Sequence, residues 1–128
     1  MRVKRVPITR HPNRKLRKIK THPEKDLQVQ CVFWFRKYHK NELLFQVPNE
    51  AAFSRAAEFK KMGLLRGASD IVCVLRDRVI FVEFKSDDGT QSREQRIFQQ
   101  KLERMGYTYA VVRSINQFKE LINESKSN

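Results

Sequence analysis

The feature that most constrains the fold is the segment from Gly67 to Lys85, GASDIVCVLRDRVIFVEFK. Its β-branched and aromatic residues predict two short strands, Asp70 to Leu75 and Arg78 to Lys85. The polar pair Arg76-Asp77 separates the two runs. If that pair forms the whole loop, the strands make an antiparallel hairpin in which Asp70 lies opposite Glu83, whereas a longer loop would offset the two carboxylates diagonally.

Two carboxylates facing each other about 5 Å apart destabilise a sheet, so this end of the hairpin predicts a cation between them. Because side chains alternate along a strand, Glu83 and Lys85 share one face while Val82 and Phe84 point to the other. Carboxylate oxygens without sulfur or imidazole partners suit Mg²⁺ or Mn²⁺. The simpler interpretations are an ion pair between Glu83 and Lys85 and a turn-capping role for Asp70.

Charge is distributed unevenly along the chain. The net charge of the 128 residues is +13, from 27 Lys and Arg against 14 Asp and Glu. Residues 1 to 23 contain nine basic and no acidic residues. We therefore predict a basic, disordered tail over residues 1–22 and a single folded domain over residues 23–124. A basic tail on a mildly basic body indicates a polyanionic partner, and nucleic acid is favoured because the tail lacks the apolar face of a membrane-binding helix.

Cysteine usage and hydropathy indicate the compartment. Cys31 and Cys73 lie in apolar runs without a CxxC motif, which predicts buried, reduced thiols rather than a zinc site. No apolar run reaches the roughly 20 residues of a membrane span, and no signal-peptide core follows the basic start. We expect a cytoplasmic protein with no membrane association and no small-molecule cofactor.

The remaining pattern places polar residues on helix faces that point inward. A helix from Glu24 to about Tyr38 has an apolar stripe that begins beside Glu24 and consists of Leu27, Cys31, Trp34, Phe35 and Tyr38. Glu24 either completes a capping box with Thr21 or points at the carboxylates. Gln95 caps a later helix with Ser92 and also belongs to its inner stripe, with Phe98, Leu102 and Met105. Strands are predicted at Leu43 to Val47 and Tyr107 to Arg113, with further helices at Glu50 to Met62 and after Ser114. This order predicts an α/β sandwich around a small mixed sheet.

The sequence resembles the PD-(D/E)xK nuclease superfamily, and within it the short stand-alone VRR-NUC nucleases. The resemblance is carried by Asp70, a short apolar hairpin and Glu83-Phe84-Lys85. Further features of the resemblance lie on matching elements: Val47-Pro48-Asn49, Gly67, Ser92 with Gln95, and Val111-Val112-Arg113-Ser114. One position departs from the family pattern, because Ser69 stands where a proline usually precedes the aspartate.

The resemblance implies a restriction-endonuclease-like αβββαβ core and metal-dependent DNA cleavage. It implies metal ligands at Asp70, Glu83, the Phe84 carbonyl and Glu24, and further catalytic residues at Lys85 and Gln95. Short members of this family, common in phages and bacteria, look like homodimers that act on branched DNA such as four-way junctions. We therefore expect a phage-type, dimeric, structure-selective nuclease.

Contacts to the DNA backbone are expected from basic residues at the end of the last strand and in the tail, namely Arg113, Lys15, Arg17, Lys18 and Lys20. Two other functions stay open on the sequence: a catalytically silent DNA-binding or replication and repair accessory module, and an RNA-directed nuclease. The silent module is disfavoured because Asp70, Glu83 and Lys85 are all present.

Overall fold

The computed structural model describes residues 22–48 and 56–124. In chain order the elements are α1 (Pro23–Tyr38), β1 (Leu43–Gln46), α2 (Ala56–Lys61), β2 (Ile71–Val74), β3 (Val79–Phe84), α3 (Arg93–Arg104), β4 (Thr108–Val112) and α4 (Ile115–Asn123). The four strands form one mixed sheet in chain order. This confirms the predicted α/β sandwich with a small mixed sheet flanked by helices.

The central hairpin has the register that the sequence predicts. β2 and β3 pair antiparallel with Ile71 opposite Val82, and the Leu75 N–H donates to the Arg78 carbonyl at 2.8 Å, so Arg76 and Asp77 form the whole loop. β1 pairs antiparallel with β2, while β4 runs parallel to β3 after the crossover through α3. Asp70 and Glu83 therefore meet at the open end of the hairpin.

The two faces of β3 have different surroundings. Ile80, Val82 and Phe84 are fully buried in the core that α1 and α4 cover, where the Phe84 and Phe118 rings lie 6.2 Å apart. On the opposite face, Phe81 packs against Phe98 of α3, with ring centroids 6.0 Å apart. Glu83 shares that second face, which places it under the first turn of α3.

The two cysteines are buried, as predicted. Cys31 in α1 and Cys73 in β2 are both fully inaccessible, and both are free thiols. Burial raises the pKa of each thiol to about 12. Such thiols pack as small apolar groups and are poor nucleophiles.

Two predictions about helix ends are wrong. Tyr38, the last residue of α1, and Met105, the C-cap of α3, are exposed by 63% and 64% instead of completing the inner stripes. Each stands at the C-terminal end of its helix, and the Tyr38 ring contacts Trp34 with ring centroids 5.9 Å apart. The N-cap of α1 is His22, which makes no side-chain capping bond, so Glu24 is the second helical residue. The alternative contact of Glu24 with Thr21 lies outside the described residues.

Parts of the predicted layout lie outside the described residues: the tail up to residue 21, and residues 49–55 at the predicted start of α2. Within the described part of the chain, none of the helices combines the length and the apolar character needed to cross a bilayer.

Candidate active site

The candidate site is built on the open end of the hairpin. The Asp70 N–H donates at 3.0 Å to the carbonyl of Val82, the residue that already pairs with Ile71, so the regular ladder ends at Ile71 and Asp70 lies next to Glu83 at the open end. The Asp70 side chain turns back over β3, where its Oδ2 accepts the Phe84 N–H at 2.7 Å. Glu83 is only 3% exposed. The two carboxylates predicted from the register are thus adjacent and largely removed from water.

Gln95 performs both of the roles that the sequence left open. The Ser92 N–H donates to Gln95 Oε1 at 2.8 Å, and the Gln95 N–H donates to Ser92 Oγ at 3.2 Å, which completes a capping box at the start of α3. The other end of the same amide, Nε2, donates to Glu83 Oε1 at 2.7 Å. The cap therefore fixes the amide in the orientation that supports the glutamate.

Burial and mutual repulsion keep these carboxyl groups from ionising readily. Burial, followed by the negative charge of Asp70, raises the pKa of Glu83 to about 8, against the opposing effect of Lys85. Burial also raises the pKa of Asp70, although the Phe84 N–H counteracts it. Glu83 Oε2 is buried, and no N–H or O–H group of the described residues donates to it. A shared proton or a bound cation would satisfy this oxygen.

Lys85 supplies the positive charge closest to the pair. Its Nζ lies 3.9 Å from Glu83 Oε1, and its side chain is 12% exposed. That separation is at the limit of an ion pair, and the same Oε1 already accepts from Gln95. Lys85 therefore lies beside the carboxylates and leaves Oε2 without a partner.

Gly67 lets α3 approach the hairpin closely. Its φ of +85° is in the left-handed region that favours glycine. A Cβ at this position would lie 2.4 Å from the backbone carbonyl carbon of Glu94 and 2.8 Å from the backbone nitrogen of Gln95. Ser69, in the position of the family's usual proline, is 1% exposed and donates its Oγ–H to the Ile71 carbonyl at 3.2 Å.

Glu24 reaches the site from α1 through the loop after β3. Its Oε1 accepts the Ser86 N–H at 3.4 Å, and its charge contributes to the raised pKa values of Asp70 and Glu83. Arg113 holds the same loop, because its Nη1 donates to the Ser86 carbonyl at 2.6 Å and to the Gly89 carbonyl at 2.8 Å. Arg113 thus contacts backbone carbonyls beside the site, and a contact between Arg113 and phosphate stays a prediction.

The donor set fits a hard divalent cation with open coordination positions. Asp70 Oδ2 and Glu83 Oε1 are held by hydrogen bonds, and the buried Glu83 Oε2 needs a positive partner. Two carboxylates leave several positions for water and substrate, as Mg²⁺ and Mn²⁺ usually require. No cluster of three Asp, Glu, His or Cys side chains with metal-binding geometry occurs within residues 22–48 and 56–124. Glu24 therefore stays a predicted ligand, as does the Phe84 carbonyl.

Sequence reasoning missed the loop after β3. No role was assigned to Ser86 to Gly89 from the sequence, whereas this loop joins Glu24 to Arg113. The available signal was Gly89, where an added Cβ would lie 3.1 Å from Glu24 Oε1. The four basic tail residues predicted to contact DNA, Lys15, Arg17, Lys18 and Lys20, lie outside the described residues.

The structure defines a class of α/β domain, in which a small mixed sheet has two adjacent carboxyl groups at the open end of its central hairpin. The family model described as the VRR-NUC domain matches residues 11–116, so the chain belongs to the VRR-NUC family of nucleases. This confirms the resemblance noted in the sequence.

Two solved structures share the fold of this chain. A chain named "VRR_NUC domain protein" superposes with a TM-score of 0.63 at 20% identity, covering 81% of this chain and 88% of the other. A second, named "VRR_NUC domain", has a TM-score of 0.60 at 21% identity, with coverages of 81% and 98%. No curated protein sequence matches this chain significantly.

Proposed function

We propose that this protein is a divalent-metal-dependent DNA endonuclease that hydrolyses phosphodiester bonds in branched DNA. The observation that carries the proposal is the environment of Glu83, which is 3% exposed, adjacent to Asp70 and without a donor to Oε2. A carboxyl group buried in this way beside a second one must share a proton with it or receive a cation. A bound cation would allow both groups to ionise.

Asp70, Glu83 and the Phe84 carbonyl would hold Mg²⁺ or Mn²⁺, with Glu24 nearby. The bound cation supplies charge that polarises the scissile phosphodiester and acidifies a water molecule. The chain's own residues then have separate tasks. Gln95 keeps Glu83 in one orientation through its 2.7 Å bond, and Lys85 either orients the attacking water or neutralises charge that develops on the phosphate.

Branched DNA and a homodimer complete the proposal. A domain of this size covers little DNA, and a symmetric pair of sites suits a symmetric junction. The basic tail, including Lys15, Arg17, Lys18 and Lys20, would add affinity for the DNA backbone that is independent of sequence. A monomer at assay concentration, measured by light scattering, would rule out the dimeric junction arrangement.

Cleavage assays test the proposal. The purified protein is incubated with Mg²⁺ or Mn²⁺ and with labelled duplex, single-strand, flap, splayed and four-way-junction DNA. Asp70→Asn and Lys85→Met should each lower the cleavage rate by about 10³-fold, since each removes several kcal/mol of transition-state stabilisation. Branched DNA should be cut faster than linear duplex.

Asp77→Asn is the matched control, because it makes the same chemical change in the hairpin loop, at the end remote from the site. It should retain wild-type activity. Absence of cleavage by the wild-type protein, or equal cleavage by all four proteins, would support the catalytically silent DNA-binding module instead.

A further inference from the structure

A groove of about 950 Å³ lies between α1 and β1 and opens onto the candidate site. Four of its lining residues follow each other at intervals of four along α1: Lys25, Val29, Phe33 and Lys37. Residues with this spacing form one row on a helix surface. The groove, called the α1 groove below, therefore has an apolar middle with a cation at each end.

The apolar middle of the α1 groove is exposed and does not belong to the core. Val29 is 60% exposed and Phe33 is 71% exposed, and neither packs into the buried cluster beneath α1. Single exposed apolar residues are common on protein surfaces. Here, however, an aromatic ring and its neighbour stand together in a concave surface, which is typical of a binding site.

The charges at the groove point to an anionic, extended ligand. Within residues 22–48 and 56–124, no carboxylate lies within ion-pairing distance of Lys25, Lys37 or Arg36, which also lines the groove. The same groove is lined by Glu24 and Asp70, so it is continuous with the candidate active site. A ligand lying in it would have phosphate-binding cations along its path and the carboxylates at one end.

We infer that the α1 groove binds a single-stranded arm of the DNA substrate and leads it to the carboxylates. An exposed ring such as Phe33 can stack on an unpaired base, whereas the base faces in a duplex are already stacked on each other. The twelve steps from Lys25 to Lys37 rise about 18 Å along the helix axis, which corresponds to roughly five stacked nucleotides at about 3.4 Å each. This inference rests on the proposed function and refines it toward splayed or flapped DNA.

Binding without divalent cations tests the inference separately from cleavage. Fluorescence anisotropy in EDTA compares a splayed duplex with a blunt duplex of the same paired sequence. Phe33→Ala and Phe33→Leu should each weaken binding of the splayed DNA by about ten-fold, because the stacking surface is lost. Phe33→Trp, which keeps an aromatic face, should bind as wild type does, and the blunt duplex should bind all variants within about two-fold.

Tyr107→Ala is the control, because this residue is also exposed, by 51%, but packs beside Phe81 on the α3 side of the sheet. It should leave the preference for splayed DNA unchanged. A second measurement follows the salt dependence of binding. Lys37→Gln should lower the slope of log affinity against log salt by about 0.7, while Lys101→Gln in α3 should not.

Equal weakening of both DNAs by Phe33→Ala, or no weakening, would overturn the inference. A Phe33→Ala protein that changes from dimer to monomer would also overturn it, since the groove would then be a contact between two copies of the chain. If the wild-type protein cuts no DNA but Phe33 still controls binding of the splayed arm, the inference stands without the nuclease proposal. If it cuts DNA without any dependence on Phe33, only the nuclease proposal stands.

Discussion

The two ends of the β2–β3 hairpin are both rich in charged residues, but among the described residues only the open end has a buried carboxylate oxygen without a donor. At the loop end, Arg78 donates to the carbonyls of Glu124 and Leu121 at 2.6 and 2.7 Å, at the C-terminal end of α4. The Glu42 carboxylate accepts a hydrogen bond from the Arg76 N–H and contacts Nδ1 of the His39 ring, both at 2.9 Å. At the open end, Glu83 Oε2 is buried without a donor among the described residues.

This difference distinguishes a cluster of charges that stabilises the fold from the cluster to which we assign the proposed function. At the loop end the pKa of Glu42 is lowered, first by its bond to His39, so the charged form is stabilised by its neighbours. At the open end the pKa of Glu83 is raised to about 8 by burial and by Asp70. Satisfied charges hold the loop to α1 and α4, whereas the pair at the open end would be stabilised by a ligand that brings positive charge, as the proposed function requires.

Among the residues that support the two ends of the hairpin, Gln95, which supports Glu83, is expected to have the largest effect on cleavage. Gln95→Ala should lower the cleavage rate by about 10- to 100-fold, because it removes the 2.7 Å bond that orients the glutamate. Ser92→Ala is the control: it removes the Oγ acceptor of the same capping box but leaves the bond between Gln95 and Glu83. It should cost about 1 kcal/mol of stability and little activity. Similar cleavage rates for the two variants would show that Gln95 acts only as a capping residue and that its bond to Glu83 does not affect cleavage.

A smaller effect is expected from the loop that holds Glu24. Arg113→Gln should release the carbonyls of Ser86 and Gly89 and so loosen Glu24, which we expect to lower the cleavage rate by about 10-fold. The Mg²⁺ concentration needed for half-maximal rate should rise in the same variant. An unchanged Mg²⁺ requirement would show that Arg113 acts elsewhere, for example on the DNA backbone.

The smallest effect on activity is expected at the loop end. Arg78→Gln makes the same substitution as Arg113→Gln, and it also removes an arginine that donates to backbone carbonyls. It should lower the free energy of unfolding by about 1.5–3 kcal/mol and leave the cleavage rate of the folded protein unchanged. Chemical denaturation and single-turnover kinetics measure the two quantities. A loss of rate comparable to that of Arg113→Gln would remove the distinction between the two ends.

The geometry of the open end follows from local patterns in the sequence. A two-residue loop and strict alternation fix which residues oppose each other up to Ile71 and Val82, so the approach of Asp70 to Glu83 at the open end can be predicted from the hairpin alone. Gln95 can be placed because a capping box and an inner stripe share that residue. These relations depend only on short stretches of chain, where the periodicity of strands and helices determines direction.

The supports of the site depend on contacts between distant elements. Arg113 reaches the loop after β3 because β4 runs parallel to β3, and no local pattern in the sequence specifies that pairing. The contact of Gly67 with the backbone of Glu94 and Gln95 likewise depends on how closely α3 approaches the hairpin. Tyr38 was misplaced because an apolar stripe does not show where the packed surface ends.

The central claim is that Asp70 and Glu83 form a cation site, and it can be tested through stability alone. The pKa of Glu83 is about 8 in the folded protein, against the ordinary glutamate value of 4.5 that applies to the unfolded chain. Unfolding without metal therefore releases a proton between these pH values, and stability falls as the pH rises from about 4.5 to about 8. Glu83→Gln carries no such proton, so at pH 8 in EDTA it should be more stable than wild type, by on the order of 3 kcal/mol.

The deciding measurement is the free energy of unfolding of both proteins at pH 8, in EDTA and in saturating Mn²⁺ or Mg²⁺. We predict that the cation raises the free energy of unfolding of wild type and leaves that of Glu83→Gln nearly unchanged. The difference in stability between the two proteins that is observed in EDTA should therefore become smaller or change sign. Equal stabilisation of both proteins by the cation, or of neither, would contradict a metal site at Asp70 and Glu83.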